Sequence, residues 1–196
     1  MPKIVDHEER RAEVLEATWR VIATRGLDAA TVRQIAKEAG VSSGVLAHYF
    51  ADKDDILVQA HRLAYDRVFR RVEEKIGRST GIEALRATLY ETLPMDENRR
   101  IEAIIDVSYI GRALNDPRLK LVRQESARVA REWWLGVLTA TAAGGHLAVD
   151  TDLGLLVDQI LVFIDGVSLQ SVVFPELMSP ELQKQLADDL IARIEA

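Results

Sequence analysis

Apolar side chains recur at i, i+3, i+4 and i+7 along almost the whole chain, and no stretch alternates apolar and polar residues between turn pairs. Nine helices are predicted, each with its own start or stop signal. The first carries the stripe Val14, Leu15, Ala17, Thr18, Val21 and Ile22, with Asp6 and Glu9 as a capping box before it and Gly26 after it. Thr31 and Gln34 make a second capping box for a very short helix, 32–39, closed by Gly40; Ser42 caps a third, 43–49. Asp52 caps a long fourth helix with the stripe Ile56, Leu57, Ala60, Ala64, Val68, Val72 and Ile76. Thr80 with Glu83 opens a fifth helix that ends near Pro94, and Asp96 opens a sixth that runs to Leu114. In Asn115-Asp116-Pro117 an acidic cap precedes a proline suited to the first helical position, so a seventh helix starts there and runs to Thr141, before Gly144-Gly145. The eighth, 152–174, is apolar on every side and is stopped by Pro175; Ser179-Pro180 opens the ninth. The pattern is all-α.

The 196 residues suffice for one or two domains with real cores, and a 48% hydrophobic content is too high for a disordered chain. The absence of cysteine excludes disulfides, thiolate zinc sites, iron–sulfur clusters and a cysteine nucleophile. Met1 to Arg11 hold no apolar run, and the longest uninterrupted one, Ile160–Ile164, is too short to span a bilayer. A cytoplasmic protein without membrane association is therefore expected. The net charge of −6 argues against nucleic acid only when taken globally. Residues 1–53 hold eight basic and eight acidic groups, whereas 54–196 hold 17 and 23, so the excess acid belongs to the second part. The expected division is an N-terminal domain, 1–53, and a C-terminal domain, 54–196.

Residues 31–53, TVRQIAKEAGVSSGVLAHYFADK, predict a helix-turn-helix. Ile35, Ala36 and Ala39 share one face of its first helix, Val41 and Leu46 close the gap from the second, and Gly40 supplies the turn. Ser42, Ser43, Gly44, His48 and Tyr49 are left on an outer face of small or hydrogen-bonding groups that suits close approach to a duplex. Arg10, Arg11, Arg33, Lys37 and Lys53 can line one basic side. For His48 the alternative is a packing role, and for Arg33 a solvated one.

The segment IAKEAGVSSGVLAHYFADKDDIL resembles the DNA-binding signature of the TetR family of bacterial repressors, and the nine-helix plan resembles that family over the whole chain. Ala47 followed by His48-Tyr49-Phe50, together with FIDGVSLQS in the eighth helix, resembles the choline-sensing betaine-pathway (BetI-like) repressors. The resemblance implies a TetR-like architecture: an N-terminal helix-turn-helix domain and a C-terminal helical ligand-binding and dimerisation domain. It implies DNA contacts by Thr31, Arg33, Ser42, Ser43, Gly44, Val45, His48, Tyr49 and Lys53. The small Ala47 removes an aromatic contact that many members use.

The resemblance further implies that the eighth and ninth helices form a four-helix dimer bundle, with Leu156, Ile160, Val167, Leu182, Leu186 and Leu190 at the interface. The alternative is an interior helix of a monomer. Candidate pocket residues are His61, Tyr65, Ile105, Tyr109, Trp133, Trp134, Phe163 and Asp165, an aromatic and acidic set suited to a choline-like cation or an apolar amine. Within it, Trp133 and Trp134 are adjacent and are expected to diverge on the helix. Asp106 shares a face with Glu102, Tyr109 and Ala113 that solvation alone would explain; Asp165 has a structural and a ligand reading; His61 has the spacing of a core histidine.

No histidine pair has metal-ligand spacing, and no glycine-rich phosphate loop is present. Neither catalytic residues, nor a metal, nor a cofactor is expected. The expected function is that of a homodimeric, ligand-responsive transcriptional repressor that binds a pseudo-palindromic double-stranded DNA operator and is released by a small-molecule effector. The rival readings are an adaptor between proteins or a small-molecule-binding protein without a DNA role.

Overall fold

The computed structural model describes residues 7–26, 29–77 and 79–195. Among them the secondary structure is nine α-helices and one isolated antiparallel bridge, Leu147 to Glu195. The helices are α1 (His7–Arg25), α2 (Val32–Glu38), α3 (Ser43–Leu46), α4 (Lys53–Ile76), α5 (Gly81–Thr92), α6 (Glu97–Ala113), α7 (Pro117–Ala143), α8 (Leu153–Val173) and α9 (Pro180–Ile194).

The caps explain most boundaries. Side-chain oxygens of Thr31, Ser42, Asp52, Asp96, Asp116, Asp152 and Ser179 each accept a hydrogen bond from a backbone N–H of the first turn that follows. Two expected capping boxes differ. Gln34 does not reciprocate, because its side-chain oxygen accepts from Arg25 Nη1 at 3.3 Å. Thr80 makes no capping bond: Gly81 enters the helix at φ +64°, which changes the approach of the backbone. The Asp6 cap lies outside the described residues. Helix α3 is shorter than expected. After Leu46 the bonds His48 N–H to Val45 O (3.1 Å) and Tyr49 N–H to Leu46 O (3.0 Å) tighten the chain into a turn.

Two large cores follow. Val14, Trp19, Ile22, Ile35, Leu46 and Phe50 join Ile56, Ala60 and Ala64 of α4 and Ile105 of α6. Leu85, Leu89, Trp134, Leu138, Leu156, Val157, Ile160 and Val167 join Ala187 and Ile191 of α9. Helix α4 thus belongs to the first core by its N-terminal half and leads into the C-terminal helices with the rest. Arg67 on α4 lies 4.0 Å above the Trp19 ring and pairs with Glu16, which fixes α1 to α4. By length and composition α8 is apolar enough to cross a membrane. The uninterrupted-run count missed this, since the polar residues of α8 are few and spread out. Here its inner face packs on α6 and α7.

Charged pairs tie the start of α4 to the α6–α7 corner. Arg112 Nη2 lies 2.5 Å from Asp54 Oδ1, and Arg118 donates to both oxygens of Asp52 at 3.2 and 3.3 Å. The Arg118 bond is the main reason that the Asp52 carboxyl lies below its ordinary value of 3.8. A lowered folded-state pKa stabilises above the unfolded value and is lost as pH falls through the folded one. Arg118→Ala should therefore move the Asp52 titration back up towards 3.8, read by NMR, and remove its share of acid sensitivity.

Candidate functional site

The α2–α3 pair presents one outward surface. The cap Thr31, together with Arg33 and Lys37 of α2, is exposed, as are Ser42, Ser43, Gly44, Val45, Ala47 and His48. Tyr49 and Lys53 are half-buried at its edge. Leu46, 1% exposed, is the buried residue of α3 and anchors the segment to the core. Gly40, at φ +66°, makes the turn between the helices. The exposure of His48 removes the packing alternative. Of the basic set, Arg33 and Lys37 form no ion pair with a described residue, Arg10 is held by Glu13 at 2.6 Å, and Arg11 lies over Phe50 at 6.0 Å. The surface therefore offers small side chains and cations that can meet phosphate.

A second feature is a cavity of about 140 Å³ between α4, α6, α7 and α8, a space comparable to one that holds benzene. Each helix contributes one helical face: Ala64, Tyr65, Val68 and Phe69 from α4; Arg99, Glu102, Ala103 and Asp106 from α6; Arg123, Ala127, Ala130, Trp133 and Trp134 from α7; Leu161, Ile164, Asp165 and Ser168 from α8. Thr92 completes it from α5. Rings form a ladder along one wall, with Tyr65 to Phe69 centroids 6.3 Å apart, Phe69 to Trp133 5.2 Å, and Trp133 to Trp134 5.2 Å.

The cavity has two charged ends. At one, Glu102 is 6% exposed and accepts two bonds from Arg71 at 2.5 Å, while Arg99 donates to Asp96 and to the Tyr90 carbonyl. Burial pushes the Glu102 carboxyl up, against the pull of Arg71. At the other end, Arg123 donates to the Tyr65 hydroxyl at 2.8 Å and lies 3.7 Å from Asp106 and 3.5 Å from Asp165. Burial and the neighbouring Asp106 raise the Tyr65 phenol, so it stays neutral.

Several expected residues lie elsewhere. Tyr65, Trp133, Trp134 and Asp165 line the cavity; His61, Ile105, Tyr109 and Phe163 do not. Ile105 faces the first core, and Phe163 packs against the second. Tyr109 is fully buried, donates to the Leu119 carbonyl at 3.1 Å and stacks on His61 at 4.2 Å. His61 is fully buried and meets Ser126 Oγ at 3.1 Å. The two tryptophans do not diverge: their edge-to-face contact brings both rings to one wall. Asp106 is not solvated, with a side chain 19% exposed at the cavity. Sequence reasoning missed Phe69, Arg99, Arg123 and the small residues Ala64, Ala103, Ala127 and Ala130; their helical spacing alone does not mark a cavity.

Residues 14–60 match the family described as bacterial regulatory proteins, tetR family, and residues 81–195 match the C-terminal domain of BetI-type transcriptional repressors. The chain belongs to the TetR family. Among TetR-type relatives, it is 28% identical to the transcriptional repressor KstR2 of Mycobacterium tuberculosis over 184 residues, 93% of this chain and 90% of that one. It is 27% identical to the transcriptional regulator BetI of Vibrio campbellii, with 97% and 94% of the two chains covered. The fold is shared with a regulator from Saccharomonospora viridis solved in complex with choline, at a TM-score of 0.86, 23% identity and coverage of 96% and 99%.

In this TetR-family chain the outer surface of α8 differs from the sequence expectation. Leu156, Ile160 and Val167, expected at a subunit interface, are 3%, 1% and 5% exposed within the protomer's own core. The apolar residues that face outward are Leu155, Val162, Leu169 and Val173, followed by Phe174 and Leu177. A helix apolar all round has two such sets, and only the packing of α6 and α7 decides which is inner. On α9, Gln183, Ala187 and Ile191 point inward; Leu182 and Leu186 are half-buried, and Leu190 packs partly on the core.

Proposed function

We propose that this TetR-family protein is a homodimeric repressor whose α2–α3 segment reads DNA and whose cavity takes an organic cation that releases it. The observation that carries the reading is the course of α4. Its first half packs with α1, α2 and α3, and its second half supplies Ala64, Tyr65, Val68 and Phe69 to the cavity wall. A ligand that prefers one position of α4 shifts the spacing of two reading heads in a dimer, and operator affinity falls by linkage. On this reading the head takes in the first half of α4, beyond the boundary at residue 53.

On DNA, Ser42, Ser43, Gly44, Val45, His48 and Tyr49 meet the major groove and its flanking phosphates, and Thr31, Arg33 and Lys53 meet the backbone. The dimer forms through the outward residues of α8 together with Leu182 and Leu186. The cavity favours a cation because aromatic rings face acids that outnumber bases at its Asp106 end. The choline complex of the Saccharomonospora viridis regulator is consistent with that class. The protein acts in the cytoplasm, where the DNA is, and its relatives are regulators rather than enzymes.

The test is operator binding against salt. Affinity for a duplex selected from a random pool should fall steeply from low to moderate salt, as condensed counterions are released. Arg33→Ala should weaken binding across sequences and reduce the salt slope by about one. A flat salt response would remove the phosphate contacts from the account.

A further inference from the structure

We propose that the cation taken by the cavity carries at least one N–H, as a protonated primary, secondary or tertiary amine does, and that Asp106 accepts that hydrogen. This rests on the reading of the cavity as a cation site and narrows its ligand class.

At one end of the cavity the charges are paired directly: Glu102 takes two hydrogen bonds from Arg71, Arg99 is held by Asp96 and the Tyr90 carbonyl, and Glu91 lies 3.5 Å from Arg71 and 3.6 Å from Arg99. At the other end the carboxylates of Asp106 and Asp165 share a single guanidinium, Arg123. The sharing is loose. Arg123 lies 3.7 and 3.5 Å from the two acids, beyond hydrogen-bond geometry, and donates instead to Tyr65. One further monocation brings this end to neutrality.

Hydrogen bonding then restricts the cation. An ionised carboxylate only accepts. Neither oxygen of Asp106 receives a hydrogen bond from a described residue: Oδ1 is buried 3.3 Å from His61 Nδ1 without bonding geometry, and Oδ2 faces Arg123 at 3.7 Å. His61 is not part of the cavity wall and can serve Oδ1 alone, which leaves Oδ2 open to a donor in the cavity. A quaternary ammonium fills the charge but leaves that acceptor unsatisfied, whereas a protonated amine meets both needs and lays its apolar body against Phe69, Trp133 and Trp134.

The test is isothermal titration of the full-length protein with three compounds of nearly equal shape: protonated dimethylethanolamine, choline and the neutral 3,3-dimethylbutanol. Protonated dimethylethanolamine is expected to bind about ten- to a hundredfold tighter than choline, the value of a charge-assisted hydrogen bond, and the neutral alcohol weakest. Asp106→Asn should collapse that preference; Asp165→Asn should weaken both cations and keep it. Choline binding as well as or better than the tertiary amine overturns the proposal and leaves the cation site standing. A neutral alcohol that matches the cations, or no binding by any of the three, overturns both. A preference that survives in a folded Asp106→Asn protein removes Asp106 as the acceptor.

Discussion

Leu46→Ala is expected to abolish operator binding while leaving the C-terminal helices folded. Helix α3 has four residues and a single buried one, Leu46, at 1% exposure. So short a helix has little stability of its own; Leu46 anchors it in the first core, which also takes the flanking Val41, Tyr49 and Phe50. Truncation to alanine removes the transfer free energy of the side chain and leaves a hollow, at a cost of about 2–5 kcal/mol. Hydrogen exchange should show lost protection in α2 and α3 with protection of α7 and α8 unchanged. Val45→Ala is the contrast. Val45 is 37% exposed on the outer surface, so the change should leave thermal stability within about 0.5 kcal/mol of the parent yet weaken DNA binding. Equal losses of stability in the two variants would contradict the assignment of inner and outer faces.

The second large effect is expected on α8. Val162→Arg places a charge on a surface where Val162 is 72% exposed, beside Leu155 and Leu169. The protomer should fold normally but fail to pair. A monomer engages one half-site, so apparent operator affinity should fall by about 10²–10⁴-fold through loss of the linked second contact. Ile160→Arg, two residues away, buries an unpaired charge at a position 1% exposed and should destabilise the protomer itself, by about 3–5 kcal/mol. Analytical ultracentrifugation with a thermal melt separates the two cases. A dimeric Val162→Arg protein would show that the outward face of α8 is not the interface.

These contrasts mark where the sequence was legible. Caps at Thr31, Ser42, Asp52, Asp96, Asp116 and Ser179 are local chemistry, and they located helix starts without any tertiary information. The helix-turn-helix was equally readable, because Ile35, Ala36, Gly40 and Leu46 each have one physical role at a fixed spacing. The cavity was not. Tyr65, Trp133, Trp134 and Asp165 stood out by residue type, but the hollow they border is made by Ala64, Ala103, Ala127 and Ala130. An alanine on a helix gives no sign that empty space lies over it. Arg123 was overlooked for the same reason: among the many arginines of α7, only the positions of α4, α6 and α8 make it the shared partner of Tyr65, Asp106 and Asp165. The error on α8 has a further cause. With Leu155, Leu156, Ile160, Val162, Val167 and Leu169 all apolar, periodicity cannot tell the face that meets α6 and α7 from the face left outside.

The central claim is that occupation of the cavity lowers affinity at the reading head. Fluorescence anisotropy of a labelled duplex, selected from a random pool by the protein itself, measures that directly, with and without saturating protonated dimethylethanolamine. The account predicts salt-sensitive binding in its absence, a loss of about 5–150-fold in its presence, and little response in Asp106→Asn. A duplex bound equally well, or more tightly, when the cavity is filled would contradict it.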